Sequence, residues 1–413
     1  MIAAVASGTN ARSVGYFVID ANLSELIGYF DGTESWPRRR KMAIALSHGG
    51  SNVYSSAERA HKLWVGTQDG LALFERADGA QWRDSARALR GQHISSIIFE
   101  ERSGTMFAGA FFGSVHASED GGKSWRRRDN GIPFQDVYSL ASHVVDGKVR
   151  VYAGTQPAHL FVSEDLGEHW YELASMRDVA SCAQWSFPAP PHIAHTKFIT
   201  FDPKDPHTIF ACVEQGALLK SSDLGRTWRE LNTVGVFKDK NRPVEHFYDV
   251  HRALIDPRDP RRIYVTGGAG LYVTDSGGAD WERWTSPDWA PDVYPDGFVW
   301  NPKNPDMMFV AAAEHNPVTW RKAGPLAHAG AKIYRTQDGG KNWQRLGGGL
   351  PDSLKHEFGA LCLEECNGVC AIFGGTTGGE VYCSEDDGAS WQRLASDLAP
   401  ISKKGHEQLL AAS

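Results

Sequence analysis

Cysteine is scarce in this chain. Six thiols in 413 residues (Cys182, Cys212, Cys362, Cys366, Cys370 and Cys383) cannot form the disulfide framework of a small secreted scaffold. The last four are separated by three, three and twelve residues, which is not the paired Cys-x-x-Cys pattern of a structural zinc site. Buried free thiols, packed as small hydrophobes, are the expectation. No run approaches the roughly 18 apolar residues of a membrane-spanning helix, so no membrane partner is expected. The first residues, MIAAVASGTNARSVGYF, have no basic segment ahead of their apolar ones, and Ser, Gly, Thr and Asn interrupt them. A cleaved signal peptide is therefore not expected, and the chain reads as cytoplasmic. Neither sign of charge dominates: 43 basic and 50 acidic side chains leave a net charge of −7. That excludes the basic face of a general nucleic-acid binder.

What the chain does have is turns, large aromatics and a repeat. It carries 43 Gly, 20 Pro and 14 Trp, which favours many short strands over long helices. One octapeptide returns as SEDGGKSW (118–125), SEDLGEHW (163–170), SSDLGRTW (221–228), TQDGGKNW (336–343) and SEDDGASW (384–391). Two copies are degenerate: TDSGGADW (274–281) has Ser276 in place of Asp, and ERADGAQW (75–82) keeps only Gly and Trp. The carboxylate can accept turn amides and the Gly can supply a positive φ, so the motif predicts a β-hairpin turn whose Trp packs between sheets. Asp120, Asp165, Asp223, Asp338 and Asp386 are accordingly assigned a structural role. The motif resembles the Asp box of the bacterial neuraminidase repeat superfamily.

Strands can be read around each octapeptide. In the fourth repeat they fall at 198–201, 208–213, 217–221 and from Trp228 onward. Four short strands in about 45 residues, repeated seven times, predict an all-β, seven-bladed β-propeller of four-stranded antiparallel blades. Residues 41–398 would form the propeller, 1–40 an extension packing on it, and 399–413 a C-terminal tail.

Blade length is uneven. The interval between boxed tryptophans grows from 43 residues (82 to 125) to 62 (281 to 343). The extra length lies at 171–195, 229–249, 282–296 and 313–331, in connections that leave the blades on the face opposite the octapeptides. Long loops on a rigid scaffold commonly carry function. Of sixteen histidines, ten map to that face: His48, His93, His159, His192, His195, His246, His251, His315, His328 and His356. Aligned blades put His93, Asp136, His195, Asp249, Tyr294 and Glu357 in one column at the start of the innermost strands. His48 and His356 lie beside this column, and Lys197, His251 and Asp296 follow two residues along the strand. A one-residue slip would reverse the face of each side chain.

Imidazoles and carboxylates converging on one point are a ligand set for Zn, Mn or Fe. The metal reading draws ligands from His48, His93, His195, His251 and His356, with Asp136, Asp249 or Glu357 as outer partner or general base. A metal-free reading has His195 or His251 move a proton beside Asp249, Tyr294 or Glu357. A third reading has these groups only line a water-filled channel. Trp185, Phe187, Phe247, Tyr248, Trp284, Trp289, Tyr294 and Trp320 could wall a sugar ring or instead stabilise their loops. Arg252 and the pair Arg321–Lys322 could hold a carboxylate or be surface charges. The expected activity is that of a hydrolase or lyase on a small polar, carbohydrate-like substrate. The alternative is a non-catalytic propeller holding a protein or ligand on the same face.

The resemblance covers about residues 45–395 and implies the propeller fold. Its superfamily includes sialidases, xyloglucanases, sortilin-type receptors and photosystem II assembly factors. Sialidases carry six blades, an arginine triad, a Tyr/Glu pair and an F/Y-R-I-P segment. Here that segment is absent and Arg252 is the only arginine in the inner columns, so sialidase activity is not expected. Xyloglucanases use two propellers with paired carboxylates, one propeller more than stands here. Sortilin-like receptors are larger, secreted and disulfide-bonded, and the assembly factors work outside the cytoplasm. Unrelated propeller lyases with histidine-lined channel mouths make lyase chemistry an analogy at the level of fold.

Overall fold

A computed structural model describes residues 43–187, 191–231, 249–268, 270–284, 294–314, 328–352 and 354–403. The expected extension (1–40) and the loop residues His246, Phe247, Tyr248, Trp289, His315, Trp320, Arg321 and Lys322 lie outside them.

Seven sheets form a seven-bladed propeller. The innermost strands are Ala43–Leu46, His93–Glu100, Asp136–Val145, His195–Phe201, Val250–Ile255, Tyr294–Asn301 and Phe358–Cys366, numbered here as blades 1 to 7. Three further strands follow outward in each blade. In blade 4 they are Ile209–Glu214, Ala217–Ser221 and Arg229–Glu230.

The ring is held by burial between blades. Seven hydrophobic clusters occupy the seven junctions between neighbouring sheets. Ring closure uses Ile44, Leu63 and Phe74 of blade 1 against Cys362, Phe373 and Cys383 of blade 7. Each octapeptide tryptophan enters the junction with the preceding blade: Trp82, Trp125, Trp170, Trp228, Trp281, Trp343 and Trp391 in turn. All six cysteines are free thiols, and all but Cys182 are buried.

The octapeptide builds its turn locally. Asp120 accepts the amides of Lys123 and Ser124 and the Ser118 hydroxyl, and Ser118 Oγ accepts the Gly122 amide. Asp223, Asp338 and Asp386 repeat the pattern. In the degenerate fifth copy Ser276 Oγ still accepts the Asp280 amide at 2.9 Å. Glycine is needed at the fifth position because φ is positive and the preceding blade is close. At Gly122 (φ 88°) a Cβ would lie 2.3 Å from Trp64.

Blade 1 departs from the up-and-down pattern. Its innermost strand, Ala43–Leu46, runs parallel to Lys62–Thr67. The chain then crosses the channel, and Val53–Ser56 joins blade 7 as a fifth strand, parallel to Phe358–Cys366. Residues 47–52 therefore fill the channel. Gly49 N donates to Ser95 O and Leu140 N to Gly49 O. The Ile97 amide donates to Ser47 Oγ, and Arg252 Nη2 donates to His48 O at 2.6 Å. His48 Nδ1 donates to Gly359 O at 2.8 Å. A Cβ on Gly49 would sit 2.1 Å from Tyr138 O, and one on Gly50 2.1 Å from Ile97 O, so the crossing admits no side chain there.

Candidate functional site

Six of the seven innermost strands share one irregularity. Pairing with the second strand skips a residue near the start, leaving Ser95, Tyr138, Lys197, His251, Asp296 and Gly359 as β-bulges. A bulge adds one residue and re-aims the side chains beside it. In blades 4, 5 and 6 the bulged residues are Lys197, His251 and Asp296, and these meet. Lys197 Nζ lies 2.9 Å from Asp296 Oδ1, and His251 Nδ1 lies 3.6 Å from the same atom.

Residues at the strand starts complete the cluster. An isolated backbone bridge joins Glu214, at the end of the second strand of blade 4, to Asp249 at the entry to blade 5. Glu214 Oε2 accepts from His195 Nε2 at 2.6 Å, and Glu214 Oε1 lies 3.4 Å from Lys197 Nζ and 3.5 Å from His251 Nε2. Asp249 Oδ1 is 3.1 Å from His251 Nε2, and Tyr294 Oη is 3.2 Å from the same nitrogen. His195 stacks on Tyr138 with ring centroids 3.7 Å apart, and Phe187 lies 5.4 Å from it.

The segment read as the start of a tail supplies the last member. Pro400 O accepts the Gln68 amide, Ile401 N donates to Thr376 O, and Ser402 O accepts from His93 Nε2. Lys403 Nζ then reaches Glu214 Oε1 at 2.8 Å, Tyr294 Oη at 3.4 Å and Asp296 Oδ2 at 3.7 Å. Every one of these ionisable side chains is buried: Glu214 and Lys403 are 2% exposed, His251 0% and Asp249 7%.

Burial would raise the Glu214 and Asp296 carboxyls, but Lys197 and Lys403 outweigh it and hold both well below the ordinary range. At Glu357 the same two lysines do not outweigh burial and the neighbouring carboxylates. Burial, then the Asp296 charge, pushes this carboxyl up to about 8, which favours the protonated form near neutral pH. Burial lowers Lys197, while Glu214 holds Lys403 protonated against the same penalty.

The structure thus brings together His195, Asp249, His251 and Tyr294, with Glu357 in their electrostatic range. It does not bring the five histidines of the metal reading to one point. His93 is taken by Ser402 O and by the Phe111 ring, 4.6 Å away. His356 faces Glu380 at 3.5 Å. His48 is held by Gly359 O in the channel crossing, and burial drops its pKa to about 3. Arg252 is not placed to hold a substrate carboxylate: it ties the crossing to blade 5 and lies 4.4 Å over the Phe198 ring. Trp284 is no pocket wall, because it packs against Tyr264 and over Gly340. A cavity of about 350 Å³ lies beyond residues 50–53, lined by Leu140, Phe198, Leu254 and Trp300, and none of the expected site residues lines it.

Sequence reasoning missed Glu214 and Lys403. Glu214 ends the apolar strand IFACVE, and a lone carboxylate there, in register with His195, was a usable signal. Lys403 gave none, since its place depends on the return of 399–403 across the ring.

No family profile matches the chain. Over 199 residues it is 29% identical to the xyloglucanase Xgh74A of Acetivibrio thermocellus, covering 44% of this chain and 23% of that protein. The chain therefore spans about a quarter of the length of the curated relatives it matches. Among solved structures it is similar to the GH74 xyloglucanase from Xanthomonas campestris, with a TM-score of 0.59 and 18% identity over 86% of this chain and 55% of that one. It is also similar to YCF48 bound to a D1 peptide, with a TM-score of 0.50 and 17% identity over 83% of this chain and 91% of that one. These structural likenesses show the propeller fold.

Proposed function

We propose that this propeller is a hydrolase acting by general acid–base catalysis on a small polar, carbohydrate-like substrate at the blade 4–7 end of its channel. What carries this reading is a buried cluster in which burial pushes the Glu357 carboxyl up while Lys197 and Lys403 hold Glu214 and Asp296 low. Carboxyls driven to opposite protonation states are the usual division of acid and base roles. Glu357 would donate a proton to the leaving group. His251, oriented by Pro295 O, and Asp249 would position or deprotonate the attacking water. The partial likeness to a xyloglucanase supports a sugar-type substrate. Substrate would enter by displacing residues 399–403, whose Lys403 stands in the cluster.

A second reading is favoured by one observation: the cluster's groups are buried and bonded largely to one another, as in a structural hub. The propeller would then hold a protein or ligand without turnover. Xyloglucan oligosaccharides, aryl glycosides and lyase substrates, offered to wild type and to Glu357→Gln, separate the two. Turnover that falls by more than about 100-fold in a folded Glu357→Gln protein upholds the hydrolase. Absence of turnover across the panel replaces it with the binding reading.

A further inference from the structure

His251 Nε2 stands among three oxygens, from Asp249, Tyr294 and Glu214. Its Nδ1 faces the Pro295 carbonyl at 3.1 Å, and a carbonyl can only accept, so Nδ1 carries the proton. In the neutral ring Nε2 is then an acceptor. The Tyr294 hydroxyl, 3.2 Å away, can donate to it, and two carboxylate oxygens stand beside it: Asp249 Oδ1 at 3.1 Å and Glu214 Oε1 at 3.5 Å. The ring nitrogen and the two carboxylate oxygens lie within 4.8 Å of one another. Asp249 is 7% exposed, and its Oδ1 has no hydrogen-bond donor among the described residues. Lys403 and Lys197 already meet Glu214 Oε1, so Asp249 Oδ1 is the acceptor left without a donor, and a cation between the two carboxylates and the ring nitrogen would satisfy it.

The spacing suits a metal ion. For ligand bonds of about 2.0–2.2 Å, donor atoms stand roughly 3.0 Å apart in octahedral and about 3.4 Å apart in tetrahedral coordination. The two measured separations fall at those values. Two carboxylates and a neutral imidazole carry a formal charge that a divalent ion cancels, and this mixed oxygen and nitrogen set suits Zn or Mn. Proton-bearing Nδ1 held by a backbone carbonyl is the outer contact that fixes a metal-binding imidazole. The scaffold also fixes the pair of carboxylates, through the Glu214–Asp249 bridge. Gly268 leaves the room Asp249 needs, since a Cβ there would lie 1.9 Å from Asp249 Oδ2.

We infer that Glu214, Asp249 and His251 form a divalent-metal site for which the Lys403 ammonium competes. Lys403 Nζ stands 2.8 Å from Glu214 Oε1, the oxygen nearest His251, and supplies the positive charge when no metal is bound. A metal arriving beside it meets a like charge, so binding is linked to the release of Lys403 and of residues 399–403, which carry it over the ring. The site belongs to the cluster assigned above to catalysis, but metal binding is read without substrate. A failed turnover screen and a failed metal titration are therefore separate results.

The test is equilibrium dialysis of tag-free, chelator-treated full-length protein against zinc sulfate or manganese chloride, with near-UV circular dichroism to verify folding. Wild type is expected to bind one equivalent. Asp249→Asn, which keeps its shape, should lose that equivalent, as should His251→Ala. Lys403→Met keeps all three ligands and should bind at least about tenfold more tightly, the minimum expected on removing a like charge a few ångströms from a bound ion. Metal binding should also expose 399–403 to amide exchange. The proposal is overturned if wild type and Lys403→Met both bind less than about 0.1 equivalent, or if folded Asp249→Asn binds as wild type. It is equally overturned if nitrogen NMR finds both His251 ring nitrogens protonated at pH 7, because the cluster is then a closed ion network.

Discussion

The carboxylates at the two ends of this propeller are satisfied in opposite ways. On one face, Asp120, Asp223, Asp338 and Asp386 are bonded by groups within four residues of themselves. At the other end, Glu214 depends on His195, Lys197, His251 and Lys403, from 17 to 189 residues away. The first kind is a property of a peptide and repeats wherever the peptide does. The second exists only once blades 4, 5 and 6 and the returning C-terminal segment are assembled. The same contrast holds within the ring. One backbone device, the bulge, recurs in six blades, yet only in blades 4 to 6 does it carry Lys197, His251 and Asp296. The scaffold repeats and its chemistry does not.

The sharpest way to break this comparison is to remove the hub's central charge. Glu214→Gln leaves Lys197 and Lys403 buried beside a neutral amide, and breaking a buried pair costs about 3–5 kcal/mol. Urea unfolding should show that loss, and a change under about 1 kcal/mol would mean the ammonium groups find other partners. Next comes the channel crossing. Gly50→Ala forces a Cβ to within 2.1 Å of Ile97 O, and overpacking of that kind costs roughly 1–3 kcal/mol. Thermal unfolding checks it, and an unchanged midpoint would show that residues 47–52 yield freely.

Smaller effects belong to the local face. Asp386→Ala should cost about 1 kcal/mol, the net scale of a hydrogen bond, with no change in the hub. A loss equal to that of Glu214→Gln would erase the distinction between the two faces. The smallest effect is a slope. Glu357 is raised in the folded state, so its contribution to stability is present below pH 4.5 and is lost as pH rises toward about 8. Melting temperatures measured from pH 5 to 8 should therefore decline more gently in Glu357→Gln than in wild type, and parallel curves would count against a neutral Glu357.

The innermost-strand column was legible before any coordinates: His93, Asp136, His195 and Tyr294 begin their strands, while Asp249 and Glu357 immediately precede theirs. Alignment of repeats supplied it, because blades that share turns share register. The histidine excess on one face was also legible, yet it pointed to a five-imidazole site that does not assemble. His93 and His356 found partners in Ser402 O and Glu380, close to their own strands or to the returning segment. Residue type and position along a strand do not say which neighbour will arrive first.

Sequence alone determined whatever depends on contacts within about ten residues and on periodicity: the hairpin turns, the four-strand unit, its sevenfold repetition and the tryptophan in each blade junction. Those interactions are local and repeated, so each copy reports on the others. Tertiary structure alone decided the crossing of residues 47–52, the return of Lys403 and the meeting of Glu214 with Asp249 and His251. Each occurs once, joins segments tens to hundreds of residues apart, and is fixed by which buried polar or charged group finds a partner inside the ring, where leaving one unpaired is costly.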